Sequence, residues 1–224
     1  MNRPYEKFFN RIMKSKQQYQ ESVLNSSIDN KFSVLKRLQE KGLFFKKVRY
    51  KFSESFSFKK IVDILNDLVL HNTINNYAIG GATALLFYST PQLTEDIDVF
   101  ITLDKKGLLF SLSDIYKFLK KNYNAVEERE YLLIDGNPIQ FLIPGDELTQ
   151  EAFDNARELK YLDFSFKIFT FEYLIAIMLM LNKSKYRERL VTIKSENKYN
   201  EAELMNILNK YSLQDKWNKI EVEI

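Results

Sequence analysis

Apolar positions recur along this chain with two periods, and the changes of period mark its elements. Residues 4–24 carry Tyr5, Phe8, Phe9 and Ile12 at helical spacing. A second helical stretch starts at the Ser26, Ser27 and Asp29 caps, runs through Phe32, Leu35 and Leu38, and stops at Gly42. The period then drops to two. Val48, Tyr50 and Phe52 alternate with Lys47, Arg49 and Lys51, a strand with one basic face. Such a face guards a sheet edge against aggregation, or it tracks a nucleic-acid backbone. After a serine-rich joint at residues 53–57, Phe58, Ile61, Val62, Leu65, Leu68 and Val69 predict a helix over 58–70, with His71 at its polar end. The stretch Tyr77–Ile101 reads as a short strand, a glycine turn, a helix at 82–88, a loop and a second strand.

Beyond a turn at Asp104–Gly107, the spacing predicts a helix from Ser111 to Lys121. A hairpin follows, with strands Tyr131–Ile134 and Ile139–Ile143 around the turn residues Asp135–Pro138. Residues 147–159 read as helix, Tyr161–Ile168 as a strand pair, and 171–182 as a nearly all-apolar, buried helix. The basic cluster Lys183–Arg189 opens another helix, a last one covers about 200–211, and Trp217 lies near the end. Few strands among many helices predict an α+β fold with a small mixed sheet flanked by helices and helical additions at both ends. The expected layout is an N-terminal helical extension with the basic strand at 1–56, a core at 57–169 and a helical region at 170–224.

Composition removes several chemistries. No cysteine excludes disulfides, thiol catalysis and Cys-based zinc sites, and a single histidine excludes a multi-histidine metal centre. A net charge of +3 from 33 basic and 30 acidic residues neither demands nor opposes a phosphate-rich ligand. The chain opens without an apolar leader, and its longest apolar run, Tyr173–Leu181, falls far short of the roughly 20 residues of a membrane span. The expectation is a soluble, cytoplasmic protein with no membrane partner.

The candidate chemistry sits in the middle. Asp96 and Asp98, two apart on a strand, point to one face while Ile97, Val99 and Ile101 bury the other. Two carboxylates so placed repel each other unless a cation lies between them, and hard oxygen ligands suit Mg²⁺. Gly80-Gly81 before a helix lets backbone N–H groups, including those of Ala82 and Thr83, approach a phosphate. Gln140, polar inside an apolar strand, needs a partner or a wet cleft, and facing the carboxylate pair would provide one. A metal site beside a phosphate site is the layout of a nucleotide-handling enzyme.

Gly80-Gly81, their spacing to Asp96-Ile97-Asp98 and the preceding Thr94-Glu95 resemble the minimal nucleotidyltransferases of the polymerase-beta-like superfamily. More narrowly they are similar to the bacterial branch that includes the AbiEii-type toxins. Glu172–Leu179, followed by Lys183, Lys185, Arg187 and Arg189, is similar to that branch's helical motif, and the resemblance covers about residues 58–217. It implies a nucleotidyltransferase fold and transfer of a nucleoside monophosphate from an NTP to a hydroxyl of RNA, protein or a small molecule. Asp96 and Asp98 would be the catalytic and metal residues, holding one or two Mg²⁺. Gly80, Gly81, Ala82, Thr83, Thr94, Gln140, Lys183 and Lys185 would serve the nucleotide. A toxin-like role with an antitoxin partner goes with that branch. The chain departs from the pattern at Gln140, where many members carry a third carboxylate. It departs again at Gln92, where an arginine is common, and at Tyr186, where the motif commonly has aspartate. These departures motivate the alternative of a weakly active or inactive nucleotide-binding or interaction module of the same fold.

Overall fold

The computed structural model describes residues 57–89, 94, 96–102 and 112–221. The two N-terminal helices, the basic strand at 47–52, Gln92 and the turn at 104–107 lie outside the described residues. The first described helix, α1 (Phe58–Leu70), begins where the Ser57 side chain accepts from the Lys60 amide, 3.4 Å away. Its apolar stripe packs on a sheet of seven strands: β1 (Asn76–Ile79), β2 (Ile97–Thr102), β3 (Val126–Glu128), β4 (Tyr131–Ile134), β5 (Asn137–Leu142), β6 (Arg157–Tyr161) and β7 (Phe164–Ile168). Their spatial order is β3-β4-β5-β2-β1-β7-β6. The central pairs β2–β5 and β1–β7 are parallel, and the other neighbours are antiparallel. The sheet is therefore mixed and flanked by helices, an α+β architecture.

The two faces of this sheet differ. On one, Ile97, Val99, Ile101, Ile139 and Phe141 are buried, and in register with them stand Tyr77 and Ile79 of β1. Helices α1 and α3 (Leu112–Tyr123) cover this face. The Tyr77 hydroxyl donates to Asn66 of α1 at 2.8 Å, Phe58 meets Phe166 edge-on at 5.1 Å, and Tyr116 of α3 approaches Phe141. Asp98, Phe100, Gln140 and Leu142 alternate onto the other face and are only partly buried. Alternation of this kind is how a strand keeps one face for the core and frees the other.

Between β1 and β2 lies α2 (Gly81–Leu85), shorter than the expected 82–88 because the chain turns after Leu86. Further on, α4 (Glu147–Asp154) carries a capping box between Asp146 and Thr149. It ends before the expected 159, and Arg157–Tyr161 instead pair with β7. The apolar α5 (Phe171–Leu181) is buried as its composition predicts and ends at Asn182, whose φ of 47° lets the chain turn left-handed. Then α6 (Ser184–Glu196), α7 (Glu201–Lys210) and the short α8 (Gln214–Asn218) complete the described chain, Trp217 being buried on α8. No helix among the described residues is long and apolar enough to cross a membrane.

Candidate active site

Two threonines set the entry to β2. The hydroxyls of Thr83 and Thr94 both donate to the Asp96 carbonyl, at 3.1 and 2.7 Å, and both side chains are buried. Thr83 and Thr94, expected beside the nucleotide, thus act on the backbone that presents Asp96. Two residues on, Asp98 points from the partly buried face of β2. Parallel pairing of β2 with β5 sets Asp98 level with Gln140, so the strand that carries Gln140 lies beside the one that carries Asp98, as expected.

The two glycines have separate reasons. At Gly80 a Cβ would stand 2.6 Å from the Phe100 ring and 3.3 Å from Phe169, so its absence lets those rings close on the backbone. The Gly80 amide donates to the Asp98 carbonyl at 3.0 Å and is committed to the ladder rather than open to a phosphate. Gly81 differs in kind. Its φ is +56°, and a Cβ there would stand 1.6 Å from Asp98 Oδ2. The Asp98 carboxylate therefore occupies the space that any other residue's side chain would need. Gly81 and Ala82 open the first turn of α2, where N–H groups have no partner within the helix.

Charge decides what this place can hold. Burial pushes the Asp98 carboxyl up to about 7, the Asp96 charge pushes the same way, and Lys185, Arg189 and Lys183 oppose both. Those three cations come from the N-terminal half of α6 and the residue before it. The far end of that helix is tied down by the Ser89 hydroxyl, which donates to Glu196 at 2.8 Å. Lys194 anchors it to α8, donating to the carbonyls of Trp217 and Ile220 at 3.0 and 2.8 Å. Lys183 and Lys185 are exposed, and Arg189 is partly buried. Burial lowers the Arg189 pKa, against the pull of Tyr186, Asp98 and Asp96. The Tyr186 ring lies between cations, 5.3 Å from Lys185 Nζ and 5.7 Å from the Arg189 guanidinium carbon. Burial, followed by the Asp98 charge, raises its phenol pKa. Arg189 and Tyr186 are site residues that the expected set omits. Arg189 stands four residues after Lys185, a spacing that places both on one helix face and was the signal for it.

The donor set fits Mg²⁺. Among the described residues no three His, Cys, Asp or Glu side chains gather around a point. Mg²⁺ commonly takes one or two carboxylates and fills its octahedron with water and substrate phosphate. Asp96 and Asp98, mutually repelling and with the charges of Lys185, Arg189 and Lys183 close by, match that habit. Two of the acids that follow in sequence are engaged elsewhere. Asp135 pairs with Lys60 of α1, toward the opposite face, and Glu127 pairs with Lys120 at 2.6 Å.

No family model matches this chain, and no curated protein does. A solved structure of an antigenic nucleotidyltransferase-like protein from Paracoccidioides brasiliensis is similar at 16% identity and a TM-score of 0.46, covering 74% of this chain and 94% of that one. A likeness of that size assigns neither family nor activity.

Proposed function

We propose that this chain is a Mg²⁺-dependent nucleotidyltransferase of the polymerase-beta-like kind, moving a nucleoside monophosphate from an NTP to a hydroxyl. The observation that carries this reading is the Asp98 carboxylate set against Gly81, raised first by burial and then by Asp96, and opposed by the cations at the start of α6. Asp96 and Asp98 would hold the metal, which when bound neutralises charge on the triphosphate. Lys185 and Arg189, with Lys183 at the rim, meet phosphate oxygens as cations across from the carboxylates. Gly81, having no side chain, leaves the Asp98 carboxylate room beside the first turn of α2. Gln140, level with Asp98 on the next strand, donates or accepts a hydrogen bond and orients an acceptor or a water. In this proposal residues 57–169 form the core and 170–224 contribute the cations. The AbiEii-type branch, a toxin-like role and an antitoxin partner rest on the motif resemblance alone.

The test is incubation with each α-³²P-labelled NTP, Mg²⁺ or Mn²⁺, and total RNA plus protein. Label should move to an acceptor with the intact protein and not with Asp98→Ala. No transferred label under any condition would remove the catalytic reading.

A second reading has its own observation. The position level with Asp98 carries an amide, which cannot serve as a base near neutral pH. A nucleotide-binding module of the same fold would bind NTP through Asp96, Asp98 and Lys185 without turnover. Calorimetric NTP binding in the absence of any transfer favours this reading over the first.

A further inference from the structure

The C-terminal ends of α1 and α3 meet over the face of the sheet opposite Asp98. The one histidine of the sequence, His71, ends α1 there. Its ring Nδ1 lies 3.0 Å from the Asp67 carbonyl and 3.1 Å from Asp67 Oδ1. The other carboxylate oxygen of Asp67 accepts from the Tyr123 hydroxyl at 2.6 Å, and burial together with that bond pushes the Tyr123 phenol up to about 12. Both oxygens of Asp67 are therefore engaged, and the imidazole is held with Nε2 as its remaining polar atom. Phe118 stands 5.4 Å from the imidazole, centroid to centroid. Together with Lys117, Lys121 and Asn122 these residues line an open surface hollow of about 490 Å³.

Cationic and donor groups outnumber acceptors on this lining. Lys117 pairs with Asp114 at 3.5 Å, and Lys121 stands exposed on the same lining. Asp67 is the single carboxylate on the lining, and its two oxygens are occupied. His71 and Lys121 both line the hollow, together with the apolar Phe118 ring. A neutral imidazole held this way accepts the P–OH of a monoprotonated phosphate, and a charged one donates to P–O⁻. An ammonium adds a point charge suited to the same group.

We propose that this hollow is a second ligand site, separate from the Asp96–Asp98 cleft, that binds a small phosphate monoester through His71 and Lys121 with Phe118 as its apolar wall. The single histidine makes the test direct. Long-range ¹H–¹⁵N spectra of the full-length ¹⁵N-labelled protein follow the His71 ring without overlap. The protein is titrated with sodium phosphate and with AMP, with sodium chloride at equal ionic strength as the control.

Either ligand should move the Nε2 resonance along a saturable curve, and Lys121→Gln should weaken it at least ~3-fold. Equal affinities mean that phosphate alone is recognised, and a tighter AMP curve means that Phe118 contributes to a nucleotide's binding. In Asp98→Asn the curve should be unchanged, which separates this site from the cleft whatever the cleft does. Three results would each overturn the proposal: no saturable shift from either ligand up to about 20 mM, a shift indifferent to Lys121→Gln, or one lost in Asp98→Asn.

Discussion

Gln140 and Asp98 sit level with each other on adjacent parallel strands and share the less buried face of the sheet. An amide there gives the cleft a hydrogen-bonding group and withholds a base. Gln140→Glu should therefore raise transfer rates, by about 10²-fold if proton removal limits turnover. The measurement is initial rate with labelled NTP and the best acceptor. An unchanged rate would place the base outside β5.

Gly81→Ala should be the most damaging small change in the cleft. The added methyl group meets Asp98 Oδ2, and a non-glycine residue at this φ carries roughly 1–2 kcal/mol of strain. Thermal unfolding should show a loss of at least about 2 kcal/mol, and any Mg²⁺-dependent rise in Tm should vanish. Gly80→Ala, which strikes the Phe100 ring instead, should destabilise while leaving part of the Mg²⁺ response.

Asp98→Asn separates stability from chemistry. The Asp98 carboxyl titrates near 7 in the folded protein against 3.8 ordinarily, so the folded state holds the extra proton between those values. Its contribution to stability is then full below pH 3.8, declines as pH rises to about 7, and stays lost above that. In metal-free buffer the asparagine variant should be more stable than the parent at pH 8, on the order of 1 kcal/mol, with no advantage at pH 4. Urea midpoints at the two pH values check the sign. Added Mg²⁺ should stabilise the parent only.

Lys185→Ala and Arg189→Ala should each weaken NTP binding by about tenfold. Equilibrium binding of a non-hydrolysable NTP measures it. The arginine should be the more costly to replace by lysine, because it is the partly buried of the two and a fork of donors is harder to replace than a point charge.

Glu151 supports the helical side of the molecule. Its carboxylate accepts from Lys210 at the end of α7, from Tyr211 that caps it, and from Tyr173 of α5 at 2.9 Å. The Lys210 bond leads the causes that hold its pKa below the ordinary 4.5. That stabilisation is present above 4.5 and is lost as pH falls through the lowered folded value. Glu151→Ala should cost about 2 kcal/mol at pH 7 and progressively less in acid, read from urea unfolding at neutral and acid pH.

The sequence showed α1 and the strand carrying Asp98 by their periods, and the β4–β5 hairpin and α5 by their apolar runs, but Asp96, expected on that strand, stands in the bend just before it. It hid β6, whose Arg157, Glu158 and Lys160 are set by pairing with β7 and not by an apolar pattern. The three exposed residues of β3 carried no signal either. Gly80 and Gly81 looked alike in sequence. Their difference lies in Phe100 and Phe169 for one and in the Asp98 carboxylate for the other, contacts that only the folded chain makes. The engagement of Thr83 and Thr94 with the Asp96 carbonyl was equally invisible, since a threonine's spacing does not say where its hydroxyl points.

The two unlike faces of the sheet bear on how this protein can change over time. Folding rests on the sealed side, where Ile97, Val99 and Ile139 leave no surface exposed. Gln140 and Leu142 stand on the side that the fold leaves partly open. On the nucleotidyltransferase reading, replacing them would change what the cleft does at little cost to folding. A lineage built this way would gain a new acceptor, or lose turnover altogether, and still keep its shape.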